Sequence, residues 1–495
     1  MDPVAIGEIL SILLFIGVCT TLLLGYPISF SLAGTALIFA AIGWATGILD
    51  FHILNGMAAR YYGVMMNEVL VAVPLFIFMG MILERSGLAE QLLTTMGELF
   101  GSLRGGLGYS VVLVGALLAA STGVVGATVV TMGLISLPAM LRAGYDPKLA
   151  TGVICASSTL AQIIPPSTVL IFVANMLQSV NQTAQSKMGN FAPEAVSVGD
   201  LFAGALIPGL ILTGLYVLWI AYKAVFEPES CPALPSDPAT RKGLWGRVAV
   251  ALLPALALIL AVLGSILFGI ATPTESASLG ALGAMALAAA RGRLNYAMIK
   301  QATVNTAVTT CMIFVILFGA SVFSLVFRGF GGEALVEDAL RNMPGGAFGA
   351  MAIVMFIMFI LGFFLDTFEI IFIMLPICGV PLLTMGLDPI WLGVMIGVNL
   401  QTSFLTPPFG FTLFYMRGVA PESVTTSQIW IGSISWTFLQ VFGLALVWYF
   451  TPLATWLPHK IFREEQAQIQ KDGGGAGKSN FMDVDDPDNQ EGAKK

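Results

Sequence analysis

Charge is what this sequence has least of. Of its 495 residues only 10% are Asp, Glu, Lys or Arg, while 57% are hydrophobic, and the mean hydropathy is +0.88. A soluble globular surface needs about 25% charged residues. Soluble enzymes, nucleic-acid binders and disordered chains therefore do not fit. The 22 basic and 29 acidic side chains leave a net charge of −7 with no basic block, which argues against nucleic acid as a partner. Histidine is nearly missing: His52 and His459 cannot build a histidine-rich metal centre. The five cysteines (Cys19, Cys155, Cys231, Cys311 and Cys378) show no CxxC pairing, and four lie in apolar runs. A disulfide framework is not expected. The HExxH, GxSG-type and GxGD signatures of intramembrane hydrolases are absent from the apolar runs; Ser197-Val198-Gly199-Asp200 lacks the first glycine and falls in a polar loop. What remains is an all-α polytopic membrane protein.

What is present is a succession of apolar runs. The first, residues 4–25, is long enough to cross a hydrocarbon core of ~30 Å. It continues through Gly25-Tyr26-Pro27 into a second run, unlike a cleaved signal peptide. Further crossings fit near 28–45, 67–84, 149–180, 199–222, 247–270, 275–290, 305–327, 389–418 and 427–450, about ten in all. Residues 107–141 and 347–384 are too long for one crossing and are interrupted near the middle. Each is either two crossings or a re-entrant hairpin. With both as hairpins, the positive-inside rule gathers Arg85, Arg104, Arg142, Lys148, Lys223, Arg241, Lys242, Arg247, Arg291, Arg293, Lys300 and Arg417 on the cytoplasmic side. Segment 181–200, with Lys187 as its only cation, and both termini then lie outside. Segments 50–66 and 86–104 read as interfacial helices or arms. The tail from about 464 is Gly-, Asp- and Asn-rich without apolar periodicity and is expected to be disordered.

The chain also repeats itself. Gly144-Tyr145-Asp146-Pro147 leads to Pro165-Pro166, and Gly386-Leu387-Asp388-Pro389 leads to Pro407-Pro408, with the same spacing of 18 residues from Pro147 to Pro165 and from Pro389 to Pro407. Upstream, Pro27 precedes Gly34 as Pro273 precedes Gly280, and Leu137-Pro138 is echoed by Leu375-Pro376. The expected division is a first repeat over 1–226 with scaffold helices, arm, hairpin and broken helix. A cytoplasmic linker follows over 227–246, then a second such repeat over 247–452 and a disordered tail over 453–495. Five crossings and one hairpin per half insert the second half upside down, the inverted-repeat plan of secondary transporters.

The Pro-Pro pairs lie mid-span. Two prolines in succession remove amide donors and unwind a helix, and irregular backbone survives in lipid only where protein buries it or it lines a cavity. A plain kink with hydroxyls satisfying the freed backbone is the alternative. The hairpin midpoints carry Ser121-Thr122-Gly123 and Gly362 to Glu369. Hairpin tips present carbonyls and helix N-termini; carbonyls and hydroxyls suit a hard cation such as Na⁺, and helix N-termini suit a carboxylate. Two candidate ion sites follow: Ser121, Thr122, Gly123, Ser157, Ser158 and Pro165 in one, and Gly362, Asp366, Thr402, Thr406 and Pro407 in the other. Gln162, Ser167, Asn399 and Gln401 are candidate substrate contacts. An acidic residue at the bilayer centre costs about 2.5–3.5 kcal/mol, so Asp366 and Glu369 serve either ion handling or helix capping. Glu275 reads as a partner of its own helix N-terminus.

These residues resemble the DctM-type large membrane subunit of tripartite ATP-independent periplasmic (TRAP) transporters over roughly 5–455. The resemblance rests on GYPISFSLAG (25–34), VPLFIFMGMILERSGLAE (73–90), STGVVGATVVTMG (121–133), IIPPS (163–167), ATPTESA (271–277), GFFLD (362–366) and LTPPFGF (405–411). It implies an elevator-type carrier of the ion-transporter superfamily, with two or more Na⁺ sites at the junctions of hairpin and broken helix. The implied activity is Na⁺-coupled import of a small organic anion, a carboxylate, across the bacterial inner membrane. It also implies two partners, a DctP-type periplasmic binding protein and a small DctQ-type membrane subunit. STGVVGA at the first tip, Thr367-Phe368-Glu369 after the second, and the long insert 181–200 depart from the usual pattern. A stand-alone ion-coupled carrier or exporter is the alternative within the superfamily; an intramembrane enzyme or a pore lies outside it.

Overall fold

The computed structural model describes residues 2–191, 194–234 and 243–463, without the side chains of Phe51, Ser121 and Thr122. Among the described residues there are helices and no strand. The first half contains α1 (Pro3–Leu23), α2 (Ile28–Ala45), α3 (Gly56–Met65), α4 (Glu68–Arg85), α5 (Leu88–Phe100), α6 (Gly106–Thr122), α7 (Val125–Arg142), α8 (Pro147–Thr159), α9 (Thr168–Lys187) and α10 (Val198–Phe226). The second contains α11 (Leu244–Leu267), α12 (Pro273–Ala290), α13 (Tyr296–Gly329), α14 (Gly332–Arg341), α15 (Gly346–Leu361), α16 (Thr367–Thr384), α17 (Pro389–Leu405), α18 (Phe411–Val419), α19 (Thr426–Tyr449) and α20 (Pro452–Pro458).

Helix ends explain the recurring Gly-x-Asp-Pro motif. Gly144 and Gly386 take positive φ and stop the preceding helix. Asp146 and Asp388 accept first-turn amides of the next helix, and Pro147 and Pro389 occupy its first position, where proline loses no hydrogen bond. Each motif is a stop, a cap and a start. Reciprocal capping boxes open four more helices, from Ser197 and Asp200, Thr272 and Glu275, Asp366 and Glu369, and Thr425 and Gln428. Glu275 is thus a capping residue, as expected.

Among the described residues eight helices are long and apolar enough to cross a membrane: α1, α2, α7, α10, α11, α13, α16 and α19; a ninth span arises if α4 is joined to the segment 52–65, which meets it at 53°. The chain is therefore a multi-pass membrane protein. The set differs from the ten expected spans for identifiable reasons. Segments 149–180 and 389–418 are divided at their proline pairs into α8 with α9 and α17 with α18. Segment 275–290 is Ala- and Gly-rich, and α4 carries Glu68, Glu84 and Arg85. The two over-long stretches fold as helix–turn–helix: α6 and α7 around Gly123 and Val124, and α15 and α16 around residues 362–366.

These central elements form the buried part of the molecule. Nearly every residue of α8, α16 and α17 is buried. By contrast α1, α2, α11 and α12 keep large apolar side chains outward, among them Phe30, Leu253, Leu260 and Leu282, as lipid-facing helices do. The halves interlock, since α7 packs on α18 and α16 packs on α9.

Two expected boundaries move. The tail does not begin at 453: α20 and a π-helical turn over His459–Arg463 continue the fold. Pro452 starts that helix, and Ala454 is fully buried where α20 crosses α10 at Gly204. Residues 464–495 lie outside the described residues. The linker is shorter than 227–246. Its beginning is pinned by hydrogen bonds from Gly105 N to Cys231 O (2.9 Å), Asp146 N to Ser230 O (3.0 Å) and Leu234 N to Gly101 O (2.7 Å), and α11 already starts at Leu244. Residues 235–242 between them are outside the described residues.

Candidate functional site

The proline pairs unwind the backbone as proline chemistry requires. After α8 a 3-10 turn covers Leu160–Gln162, and helix resumes at Thr168; after α17 helix resumes at Phe411. The Pro165–Pro166 and Pro407–Pro408 peptides are both cis. Several of the freed carbonyls are not left bare. Ser167 Oγ donates to Gln162 O (3.0 Å), Thr412 Oγ1 to Phe404 O (2.6 Å) and Thr437 Oγ1 to Leu405 O (3.3 Å). Neighbouring hydroxyls thus satisfy part of the freed backbone at both proline pairs.

Each helix–turn–helix tip meets an interrupted helix. Gly123 closes α6 with φ +61, a left-handed conformation that costs other residues about 1–2 kcal/mol. A side chain there would also press on Thr168. Its carbonyl accepts a hydrogen bond from Thr168 Oγ1 (2.8 Å), which fastens the tip to the first turn of α9. The 160–162 turn packs on both α6 and α7. At the second tip, Gly362 lies directly against Ser403 in α17. The rings of Phe363 and Phe364 lie 6.1 Å and 5.5 Å from that of Phe409, beside the second proline pair.

The candidate ion ligands can now be placed. Ser121 and Thr122 end α6, but their side chains are outside the described residues. Ser157 and Ser158 are fully buried and donate to Val153 O (2.6 Å) and Ile154 O (2.7 Å). Ser157 sits level with Gly115 rather than with the tip. Pro165 is buried in the interruption. In the second group Thr402 donates to Val398 O (2.9 Å) and Thr406 to Thr402 O (2.8 Å), and Pro407 is half-buried. Every described hydroxyl here gives its proton to its own helix and keeps oxygen lone pairs for another partner. Among the described residues no three His, Cys, Asp or Glu side chains cluster as a metal centre. The donor set is hydroxyl and carbonyl oxygen, which suits a hard cation.

Asp366 and Glu369 are both helix-capping residues. Asp366 accepts the Thr367 amide (2.8 Å), and Glu369 accepts the Asp366 amide (2.9 Å). That pairing offsets part of the cost of placing acids in the membrane. It leaves Asp366 only half-buried, on the wall of the main cavity.

That cavity, of about 1190 Å³, brings the parts together. Gly123 and Gly126 line it from the first tip, Asp366 and Thr367 from the second, Gln162 from the first interruption and Phe411 from just past the second. Of the four substrate candidates only Gln162 reaches it. Its amide donates to Thr367 Oγ1 (3.0 Å), while its carbonyl oxygen is buried without a partner. Ser167 caps the interruption. Asn399 ties α17 to Met355 O (2.8 Å), and Gln401 faces Tyr216. A buried network joins Gln440 to Thr159 and Tyr216 (2.8 Å each) and so links α8, α10 and α19. Sequence reading missed this network, although a glutamine in the apolar stretch 427–450 was its signal. It also passed over Glu84, held by Thr131 (2.7 Å), and Tyr415, packed on Gly126; both line the cavity.

An all-helical multi-pass protein with interrupted helices around one mid-span cavity has the build of a transport protein. Residues 15–453 match the family model of the tripartite ATP-independent periplasmic transporter, DctM component. The chain belongs to that family and is a large permease subunit of a secondary transporter; the family is one of transporters, not enzymes. The C4-dicarboxylate TRAP transporter large permease protein DctM of Rhodobacter capsulatus is 29% identical over 91% of this chain and 99% of its own length. The ectoine TRAP transporter large permease TeaC of Halomonas elongata is 27% identical over 89% and 97%. The isethionate TRAP transporter permease DctMQ of Oleidesulfovibrio alaskensis is 27% identical over 72% of this chain and 53% of that protein. Among solved structures, the Alcanivorax borkumensis YdaH transporter shares the fold, with a TM-score of 0.55 at 14% identity over 81% of this chain and 90% of that one.

Proposed function

We propose that this subunit imports a small organic anion bearing a carboxylate, coupled to Na⁺, by an elevator motion of the two hairpins and two broken helices against the remaining helices. The observation that carries the reading is the convergence of both tips and the first interruption on one cavity, with Phe404 and Phe411 reaching it from either side of the second. The two Na⁺ sites of this reading are those expected from the sequence, Ser121, Thr122, Gly123, Ser157, Ser158 and Pro165 in one and Gly362, Asp366, Thr402, Thr406 and Pro407 in the other, with Ser157 set back from its tip at the level of Gly115. The hairpins are read as re-entrant and the halves as inverted repeats, in a bacterial inner membrane with both termini periplasmic. In that orientation the main cavity extends from the tips toward Pro27 and Glu84 at the cytoplasmic ends of their spans. The family description supports two partners, a periplasmic binding protein that delivers the substrate and a small membrane subunit. The relatives' names include C4-dicarboxylate, ectoine and isethionate, so homology alone does not select a substrate.

Two Na⁺ moving with one monoanion carry one net charge inward, worth about 2.3 kcal/mol per 100 mV. The test is uptake into proteoliposomes that hold this chain and its partners. Uptake should follow an imposed inward Na⁺ gradient and rise with an inside-negative potential. Uptake indifferent to Na⁺ refutes the coupling, and uptake without any binding protein refutes the tripartite delivery. Thr122→Ala and Thr406→Val should each lower the apparent Na⁺ affinity.

A further inference from the structure

We infer that the protein has a second ligand site, an outer vestibule where the substrate anion docks on Arg60 before it reaches the tips. The inference rests on the import reading above and adds a station to it. The vestibule is a cavity of about 570 Å³, within the range of small-molecule pockets. It lies at the opposite ends of helices that line the main cavity. The main cavity touches Glu84 late in α4, Val169 early in α9 and Ala307 in the first half of α13. The second touches Asn67 just before α4, Gln178 late in α9 and Arg328 at the end of α13. The two cavities therefore lie toward opposite membrane faces, and in the orientation proposed above the second is periplasmic.

Charge at this end is unbalanced. Glu333 and Glu337 are the acids of its ion pairs, and Lys187, Arg328 and Arg341 are the cations. Arg60 is a further cation, half-buried on the cavity wall. Among the described residues it has no acid within ion-pair distance, and its one hydrogen bond runs from Nη1 to Ser321 O at 3.4 Å. Arg328 is near enough to oppose its charge. The one acid lining the cavity is Glu333, already held by Arg328 (2.7 Å) and Lys187 (3.1 Å). A guanidinium cannot shed its proton, so a partly buried one is costly until an anion pairs with it. A second observation comes from α9. Asn175 is 7% exposed and lines the cavity, and among the described residues its amide has no hydrogen-bond partner. A carboxylate has oxygens for both, the guanidinium fork and the amide N–H.

The walls belong to parts that the elevator reading moves past each other. Arg60 stands on α3, with α4 and α13, on the fixed side; Asn175 stands on α9, and Phe372 and Pro376 on α16, on the moving side. Val169 in the main cavity and Gln178 in the vestibule are nine residues apart on α9, about 13 Å of helix. An outward slide of that size brings the tips to the anion that Arg60 holds.

The test maps arginine reactivity in right-side-out membrane vesicles that hold the full chain with its small membrane subunit. Phenylglyoxal labels accessible guanidiniums, and peptide mass spectrometry gives the rate at each. Butyrate, succinate and ethanesulfonate are added outside at constant ionic strength, with neutral butyramide as the control. At least one charged probe should slow labelling of Arg60 severalfold and leave Arg291, at the cytoplasmic end of α12, unchanged. Butyramide should do nothing. Replacing Na⁺ by choline should leave the protection intact, since Arg60 carries its own charge. Asn175→Leu should weaken the protection severalfold. In uptake assays Arg60→Gln should raise the half-saturating substrate concentration severalfold with the melting temperature near wild type. Protection by no charged probe, or equal protection by butyramide, overturns the inference and leaves the import reading standing, because Na⁺-driven uptake tests that separately. Protection only by anions trapped inside the vesicles overturns the outer placement. Slowing by the periplasmic binding protein and by no small anion also overturns it, since Arg60 would then be a protein contact. Wild-type protection in Asn175→Leu overturns the two-walled site, and unchanged half-saturation in Arg60→Gln overturns the vestibule's part in transport.

Discussion

Gly362→Ala isolates one contact on which the second tip depends. Gly362 has φ −65, so alanine meets no backbone penalty and only space is at issue. The added methyl would run into the Ser403 hydroxyl and come within 2.7 Å of the Ser403 Cβ. Carbon atoms rest at about 3.5–4.0 Å, so the tip must retreat from α17 by roughly 1 Å. Overpacking of this kind costs about 1–3 kcal/mol. Ser403→Gly removes both offending atoms. By itself it gives up the Ser403 hydrogen bond to Leu400 O (2.8 Å) and about 0.5 kcal/mol of helix propensity. If the tip seats on α17 as described, the double variant is more stable than the sum of the singles implies, by about 1–2 kcal/mol. Melting of the purified protein measures the cycle, and Na⁺-driven uptake into proteoliposomes checks that the seat matters for transport. A Gly362→Ala variant that melts and transports like wild type refutes this account. So does a double variant whose losses are additive.

Thr168→Val should destabilise by about 1–3 kcal/mol by leaving the Gly123 carbonyl without its donor, and Thr168→Ser should recover most of the loss in the same melts. Asp366→Asn keeps a capping oxygen, since asparagine caps about as well as aspartate. It should fold normally and report the charge alone in a Na⁺ titration, whereas Asp366→Ala should also lose about 1 kcal/mol of stability. At the polar end of α9, Lys187 bridges Glu333 and Glu337 on α14 at 3.1 Å each. Burial pushes the Glu337 carboxyl up, but bonds from Lys187 and Arg341 outweigh it and hold it below the usual glutamate value of 4.5. Burial likewise lowers Lys187, and its two glutamates outweigh that and hold it above 10.5. The glutamate's contribution is present above 4.5 and is lost as pH falls through its depressed value. The lysine's is full below 10.5 and is lost as pH rises through its raised value. Lys187→Met should therefore cost under about 1 kcal/mol at pH 7, because the pair is partly exposed, and the gap to wild type should close at both extremes.

Much of this was legible in the sequence because it depends on local chemistry. Apolar length marks the spans, and Gly-x-Asp-Pro writes a helix stop, cap and start in four letters. A proline pair interrupts a helix wherever it falls. The misses are of another kind. That Ser157 sits level with Gly115, and that Thr168 instead fastens Gly123, follows from how α6 lies along α8; spacing within one segment carries no such information. The same holds for the tie of Gln440 to Tyr216, whose partners are 224 residues apart. The helical segment at 452–463 was hidden because seven residues of helix are too short for periodicity to register.

The matched motifs also define where the halves should be compared. Pro147 and Pro389, Pro165 and Pro407, and the helix-opening residues Val124 and Asp366 are each 242 residues apart. At the first two pairs the residues are the same, and they do the same work on the backbone. At the third they differ as sharply as residues can, an apolar side chain with no capping bond against an acid that closes a capping box. Backbone geometry needs the match at the prolines, because each pair breaks its helix beside a tip. Nothing in that geometry needs Val124 and Asp366 to differ, since either cap type would start a helix. The difference is local to the two tips: Asp366 and Glu369 satisfy the opening amides of α16 with their own side chains, whereas α7 opens at Val124 without a side-chain cap and its tip is fastened from outside, by Thr168 on the Gly123 carbonyl.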